Sequence, residues 1–361
     1  MKLIGIRFRV GLYALPLAVV LALASACAKE STGDAPQGPR VVVPAAEGIY
    51  LGVFSAGVEF DDDAYEKYSQ QAGAAPSIIA TFETWSNTPP LDKLRHIASH
   101  DAVPLVAWEP WNGPNREATD LDGLFSGRYD GYIESWANAL ASLRSPVLIR
   151  LGHEMNGDWF PWSGANNGGG ALDGYGTDRR ADGPERFVAF WRYVHDIFTE
   201  AGAVNVSWLW SPNPNSVPDE SWNQPLEYYP GDAYVDWVGV SVFNFGDRTD
   251  AKPWATWRPF SDIVGGPYHL FEPLGKPMII PEVGSVEGSG NKGNWIREMA
   301  IEIRLSFPLI KGIVWFDEND PELGDFSLDT SPDSMAAWRE VSREPFYAVA
   351  PTYEEIDGAS E

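Results

Sequence analysis

Two glutamates close apolar runs in settings suited to acid–base chemistry. The first lies in Arg150-Leu-Gly-His153-Glu154-Met-Asn156-Gly-Asp-Trp159-Phe-Pro-Trp162, where a lone acid follows an apolar strand and tryptophans crowd the loop beyond it. The second lies in Met278-Ile-Ile-Pro281-Glu282-Val-Gly284, which repeats the arrangement of apolar strand, single carboxylate and glycine. Cleavage of a glycosidic bond needs such a pair: a protonated carboxyl beside the leaving oxygen and an ionised carboxylate beneath the anomeric carbon, about 5–5.5 Å apart in the retaining reaction. Glu154 stands among Met155, Trp159, Phe160 and Trp162, an apolar setting that favours its protonated form. Glu282 needs a cationic donor to serve as the ionised partner. Arg150 is the best one, within strand four and on the side-chain parity of Glu154. Glu154 is therefore expected as acid/base, Glu282 as nucleophile and Arg150 as their support. The plainer reading makes the two glutamates rim acids and Arg150 half of a buried structural ion pair.

Both acids must be delivered to one place. Short apolar runs at 49–54, 77–82, 103–108, 147–151, 204–210, 237–242, 277–281 and 312–316 are β-branched or aromatic and mostly continuous, as strands buried on both faces are. Longer amphipathic stretches separate them. The clearest is 184–200, with Phe187, Phe190, Trp191, Val194, Ile197 and Phe198 on one side, Asp182 and Pro184 marking its start and Gly202 its end. Residues 129–143 repeat the pattern, and 294–307 do so less cleanly. The expected fold is α/β: a single (β/α)8 TIM barrel with its site at the C-terminal ends of the strands. An open doubly wound sheet is the alternative, but no Gly-rich phosphate turn follows the first strand. Glu154 after strand four and Glu282 at the end of strand seven then reach the same rim.

The chain has 361 residues, 44% of them hydrophobic, enough for one large domain. Lys2, Arg7 and Arg9 precede an uncharged apolar run that ends in Ala24-Ser25-Ala26-Cys27. Residues 1–26 read as an export signal, and an anchor helix is the alternative. Cys27 is the single cysteine and stands where a lipoprotein box would place its lipid; ordinary cleavage nearby is the other reading. Residues 27–47 are expected to be a lipid-attached flexible tether, 48–350 the catalytic domain and 351–361 an acidic tail. An exported cell-envelope lipoprotein touching the membrane only through Cys27 is expected, with a secreted chain as the alternative.

The formal net charge is −25, and loss of Lys2, Arg7 and Arg9 makes it more negative still. Such a surface disfavours nucleic acid and anionic polymers, and suits a neutral polysaccharide or oligosaccharide. Sixteen Trp, 14 Tyr and 17 Phe exceed ordinary core needs, and stacking on sugar rings would use the excess. No cofactor or metal is expected. Gly157 stands where a second histidine would complete a helical zinc pair with His153, and the spacing of Asp173, Asp178 and Asp182 fits no calcium loop.

The motif Arg150-x-x-His153-Glu154-Met-Asn-Gly-x-Trp159, followed by Pro281-Glu282-x-Gly284, resembles glycoside hydrolase family 26, the β-mannanases and mixed-linkage β-glucanase relatives of a large retaining (β/α)8 clan. The resemblance spans roughly residues 49–347. It implies Glu154 as acid/base, Glu282 as nucleophile, Trp315 as the strand-eight platform beneath the sugar at the cleavage point, and His153 as a contact to that sugar. Trp85, Trp108, Trp159, Trp162 and Asn244 are further expected sugar contacts, with packing as the alternative for Trp85, Trp159 and Trp162. The chain departs from the mannanase pattern at Glu109, where a histidine usually follows the strand-three tryptophan, and at Phe243, where a tyrosine usually reaches the nucleophile. The loop Trp159-Phe-Pro161-Trp162 resembles the mixed-linkage glucanase branch more closely. The implied activity is that of a retaining endo-β-glycanase on β-1,4 linkages of β-mannan or mixed-linkage β-glucan. A β-1,3-xylanase of the same family and a non-catalytic glycan-binding surface lipoprotein are the alternatives.

Overall fold

The structure, a computed structural model, describes residues 38–112, 117–247 and 255–356. The export segment, Cys27, most of the tether and the last five residues of the tail lie outside the described residues.

Parallel strands close a barrel. They are Tyr50–Phe54, Ile78–Thr84, Val103–Glu109, Val147–Leu151, Val206–Trp210, a sixth in two pieces (Trp237–Gly239 and Val242–Asn244), Met278–Ser285 and Ile310–Phe316. Strand eight pairs with strand one, Gly312 opposite Tyr50, and closes the ring. Side chains alternate across each strand, so two cores form. Tyr50, Ile78, Leu105, Leu148, Ile279 and Val314 fill the barrel interior. Leu51, Val53, Val106, Ile149, Trp210 and Ile313 face outward against the helices. Carrying the same alternation toward the C-terminal ends puts Arg150, Ser241 and Phe316 on the inner face, and Trp108 and Trp315 on the outer one.

Helices Asp62–Ala72, Leu91–Ser99, Asp130–Leu143, Asp182–Glu200, Phe260–Phe271, Lys292–Ser306 and Pro332–Arg343 follow strands one, two, three, four, six, seven and eight. In Asp182–Glu200 the residues Phe187, Phe190, Trp191, Val194 and Phe198 are buried, as the periodicity predicts. Each such side chain stabilises by about 1.5–3 kcal/mol relative to exposure. The fifth crossover differs from expectation. Three short 3-10 turns, Ser221–Asn223, Pro225–Tyr228 and Asp232–Tyr234, stand where an α-helix would complete eight βα units. Pro212, Pro214, Pro218, Pro225 and Pro230 explain it, since proline removes the N–H that a helix interior needs.

The domain is also wider than residues 48–350. Arg40–Val43 pairs antiparallel with Thr352–Glu355, Arg40 opposite Glu355. Three consecutive valines favour a strand over a tether, and Val42 is buried in the inner core. Tyr50 pins the ribbon to the start of strand one: its hydroxyl donates to the Val43 carbonyl at 2.6 Å and accepts from the Thr352 N–H at 3.0 Å. Among the described residues no helix is long and apolar enough to cross a membrane.

Candidate active site

Beyond Leu151 the backbone of strand four turns sharply. Gly152 and Glu154 both adopt left-handed conformations, φ 49° and 53°. For a non-glycine residue this costs on the order of 1–3 kcal/mol. The Glu154 N–H donates to the Ser211 carbonyl at 2.8 Å, which holds the turn in place. Two residues past it, Asn156 is fully buried and joins this loop to the one after strand five, its side chain bonding both the N–H (2.8 Å) and the carbonyl (3.0 Å) of Asn213. Gly157 then lets the chain fold back: a Cβ there would lie 2.5 Å from the Trp159 ring. Trp159 in turn donates its indole N–H to Glu154 Oε2 at 3.0 Å and is 44% exposed, so a polar edge touches the acid while the ring presents surface to solvent.

Glu282 arrives from the other side. Strand seven shifts register between Ile280 and Val283, the irregularity that aims a side chain out of the regular ladder. Arg150 crosses the interior to meet it, Nη1 donating to Glu282 Oε2 at 2.5 Å while Nη2 donates to Ser241 Oγ at 2.8 Å. Ser241 Oγ lies 3.4 Å from the same carboxylate oxygen. It stands at the break between the two pieces of strand six. One oxygen of Glu282 is thus held by a guanidinium and a hydroxyl.

Burial and neighbouring charges act on Glu154. Burial pushes the Glu154 carboxyl above the ordinary glutamate range, and the Glu282 charge adds to that push. Arg150 and the side chains of Ser241 and Asn213 act in the opposite direction. The push of the Glu282 charge on Glu154 puts the two carboxylates within electrostatic reach of each other. Burial, with Arg150 nearby, lowers His153 well below the usual imidazole range, so it is neutral at physiological pH. Its Nδ1 is buried without a hydrogen-bond partner, and Phe160 packs against the ring edge-on at 4.9 Å.

The tryptophans divide by strand parity and hydrogen bonding. Trp108, expected at the sugar, faces outward among Trp85, Tyr132, Trp136 and Phe198 and is fully buried. Trp85 packs beside it against Tyr129 and Phe190. Trp315 also points outward, between Trp295 and Trp338, and donates its N–H to the Phe326 carbonyl at 2.9 Å. These three are packing residues. Trp162 is 2% exposed, stacks on Phe160 at 4.4 Å and donates to the His153 carbonyl at 2.8 Å, so it fixes the loop instead of meeting a ligand. Asn244 is buried too, bonding Ser285 and the Arg258 N–H.

What faces the mouth in place of Trp315 is its neighbour, Phe316. It lies 5.3 Å from Phe54 and 5.6 Å from Phe243, and Phe54 lies 4.7 Å from Phe82; all four rings are partly exposed. The other strand-end acids are occupied: Lys93 pairs with Glu83 at 2.7 Å, Leu328 N–H donates to Asp317 and Ala56 N–H to Glu318. Ser241, Asn213, Phe54, Phe82 and Phe316 line the site without any motif marking them, whereas Phe243 stands at the position already noted for its missing tyrosine. The alternation Gly239-Val-Ser241-Val-Phe243 was the available signal, because it puts Ser241 and Phe243 on one face.

A closed parallel barrel with one carboxylate just beyond strand four and a second in the C-terminal half of strand seven defines a (β/α)8 protein of the kind that acts at this rim. The chain belongs to glycosyl hydrolase family 26, whose family model matches residues 119–308. It is 29% identical over 300 residues to endoglucanase H of Acetivibrio thermocellus, a match covering 81% of this chain and 30% of that protein. It is 27% identical over 222 residues to the mannan endo-1,4-beta-mannosidase A and B of Caldalkalibacillus mannanilyticus, covering 59% of this chain and 36% of the relative. The chain thus spans about a third of the length of these relatives. Among solved structures, a family 26 beta-mannanase from Bacteroides ovatus shares the fold with a TM-score of 0.57 at 17% identity, over 84% of this chain and 91% of that one.

Proposed function

We propose that the domain is a retaining endo-β-glycanase that hydrolyses β-1,4 linkages in mixed-linkage β-glucan or β-mannan, with glucan the favoured substrate. The observation that carries the reading is the opposed pair: Glu282 gripped by Arg150 and Ser241, and Glu154 raised by burial and capped by Trp159. The neutral Glu154 carboxyl gives its proton to the leaving oxygen as Glu282 attacks the anomeric carbon. Oε2 of Glu282 is the oxygen held by Arg150, so Oε1 is the attacking atom. The C–O bond to the leaving sugar breaks and a glycosyl ester forms on Glu282. Glu154, now ionised, takes a proton from water, which displaces Glu282 and restores the starting state. Glucan is favoured over mannan by the broad match to an endoglucanase and by Phe243 at the position where mannanases carry tyrosine.

Incubation with lichenan, β-mannan and β-1,3-xylan, followed by product sizing, tests the reading. Oligosaccharides from lichenan, formed faster than from mannan, are expected; release from β-1,3-xylan alone would contradict the linkage assignment. Retention of polymer with no new reducing ends would make the chain a glycan-binding protein.

We also propose that the chain is exported and held at the cell envelope by lipid on Cys27. The basic residues Lys2, Arg7 and Arg9 ahead of an apolar run that ends at Cys27 support this. A Cys27→Ser chain should move from the membrane fraction to the soluble one. An unchanged membrane fraction would exclude the lipid.

A further inference from the structure

The start of helix Asp62–Ala72 meets the end of helix Leu91–Ser99, and Asp62, His96 and His100 converge there. The two histidines stand one turn apart on one face. Asp62 Oδ1 lies 2.9 Å from His100 Nε2 and 3.7 Å from His96 Nδ1. One donor atom from each of the three residues lies within 4.8 Å of the others. A tetrahedral ion with bonds of about 2.0–2.2 Å needs donors roughly 3.4 Å apart, and the two measured separations bracket that figure.

The surroundings prepare the donors. Tyr65 stacks on His100 with centroids 3.7 Å apart and 19° between planes, which fixes that ring. The side chain of His96 is mostly buried, and its Nε2 has no hydrogen-bond partner, so the nitrogen turned toward Asp62 is the one that can serve a ligand. Asp62 is largely exposed and can rotate to close the site. A carboxylate can accept from both rings only if each brings a proton to it. A divalent cation satisfies both imidazole lone pairs and the carboxylate at once. The net charge of −25 favours cation capture as well.

We propose that Asp62, His96 and His100 form a binding site for a divalent transition ion of the zinc class, clipping the two helices together, with water completing the shell. Imidazole and carboxylate donors select zinc, copper or nickel over calcium or magnesium. The site is separate from the carboxylate pair and independent of any substrate.

The test is calorimetric titration of the chelator-stripped full chain with Zn2+, beside thermal unfolding. One ion per chain is expected, with a midpoint rise of about 3 °C or more at saturating zinc. His100→Gln and Asp62→Asn should each weaken binding by at least about tenfold and abolish the shift, while His269→Gln keeps both. Wild-type chain that takes up no zinc, or His100→Gln and Asp62→Asn chains that bind as tightly as wild type, would overturn the proposal. Should a variant fail to fold, the Cu2+ electron paramagnetic resonance spectrum of the wild-type chain decides: coupling to two imidazole nitrogens supports the site and its absence refutes it.

Discussion

Arg150 Nη1 meets Glu282 Oε2 at 2.5 Å across the barrel interior, tying strand four to strand seven although the two are not adjacent in the sheet. Both side chains are nearly out of reach of water, 1% and 11% exposed. A buried pair of this kind is weak evidence for stability, because desolvation offsets most of the attraction. Its value here is geometric. The planar fork engages Glu282 with one nitrogen and Ser241 with the other. An Arg150→Lys chain keeps the charge and loses the fork, so kcat is expected to fall by roughly 10–100-fold with KM changed far less. Steady-state kinetics on a soluble glucan check it, and an unchanged kcat would remove Arg150 from the site.

Ser241→Ala deletes the hydroxyl that Arg150 Nη2 holds beside Glu282. A hydrogen bond to a charged group is worth about 1.5–3 kcal/mol, so kcat should drop by roughly 10–100-fold. Ser241→Thr keeps the hydroxyl and should recover part of the loss, which separates a positioning role from a packing one.

With Glu154 as the proposed acid, its raised carboxyl should set the alkaline limb of the activity profile. Activity should persist above the ordinary glutamate range and fall as Glu154 loses its proton. In Glu282→Gln the neighbouring charge that adds to the push is gone, so the Glu154 titration should move down, as seen by NMR. Stability carries the same sign. A carboxyl raised on folding binds its proton more tightly in the native state, so its contribution is full below the unfolded value and is lost as pH climbs through the folded one. Glu154→Gln should therefore unfold at a higher temperature than wild type at neutral pH, and the gap should close in acid.

Trp159 and Trp315 should behave in opposite ways. Trp159→Ala removes an exposed ring and the N–H on Glu154, so KM should rise and kcat fall, with the melting temperature little altered. Trp315→Ala empties an outer-core site and should cost about 3–5 kcal/mol of stability. The milder Trp315→Phe should keep KM, while Phe316→Ala raises it. A Trp315→Phe chain with strongly weakened substrate binding would return that ring to the cleft.

Much of this was legible in the residues. Continuous β-branched runs announced buried parallel strands, and the strand at 147–151 matches the structure's Val147–Leu151. Arg150 was legible as the cationic donor that Glu282 needs, but its shared parity with Glu154 does not hold, since strand four ends at Leu151 and the chain turns through left-handed Gly152 and Glu154. Parity was also where the reading of Trp108 and Trp315 went astray. Both adjoin a strand end, yet one step along a strand reverses the face, and the inward positions beside them belong to Glu109 and Phe316. Val41, Val42 and Val43 were hidden inside a stretch rich in small residues, so the ribbon they form with Thr352–Glu355 looked like linker. The missing fifth helix was written in five prolines, which apolar spacing alone does not register. Ser241 carried no motif beyond the alternation that puts it on the inner face; contact with Arg150, drawn from a distant part of the chain, gives it a role.

The most direct test of the carboxylate pair is trapping. A 2-deoxy-2-fluoro glucosyl substrate with a good leaving group slows hydrolysis of the glycosyl ester, and peptide mass mapping then locates the sugar. The account predicts one sugar per chain, attached to Glu282, with prompt release of the leaving group. A sugar on Glu154 or any other acid, or turnover of the natural polymer to the inverted anomer with no adduct, would contradict it.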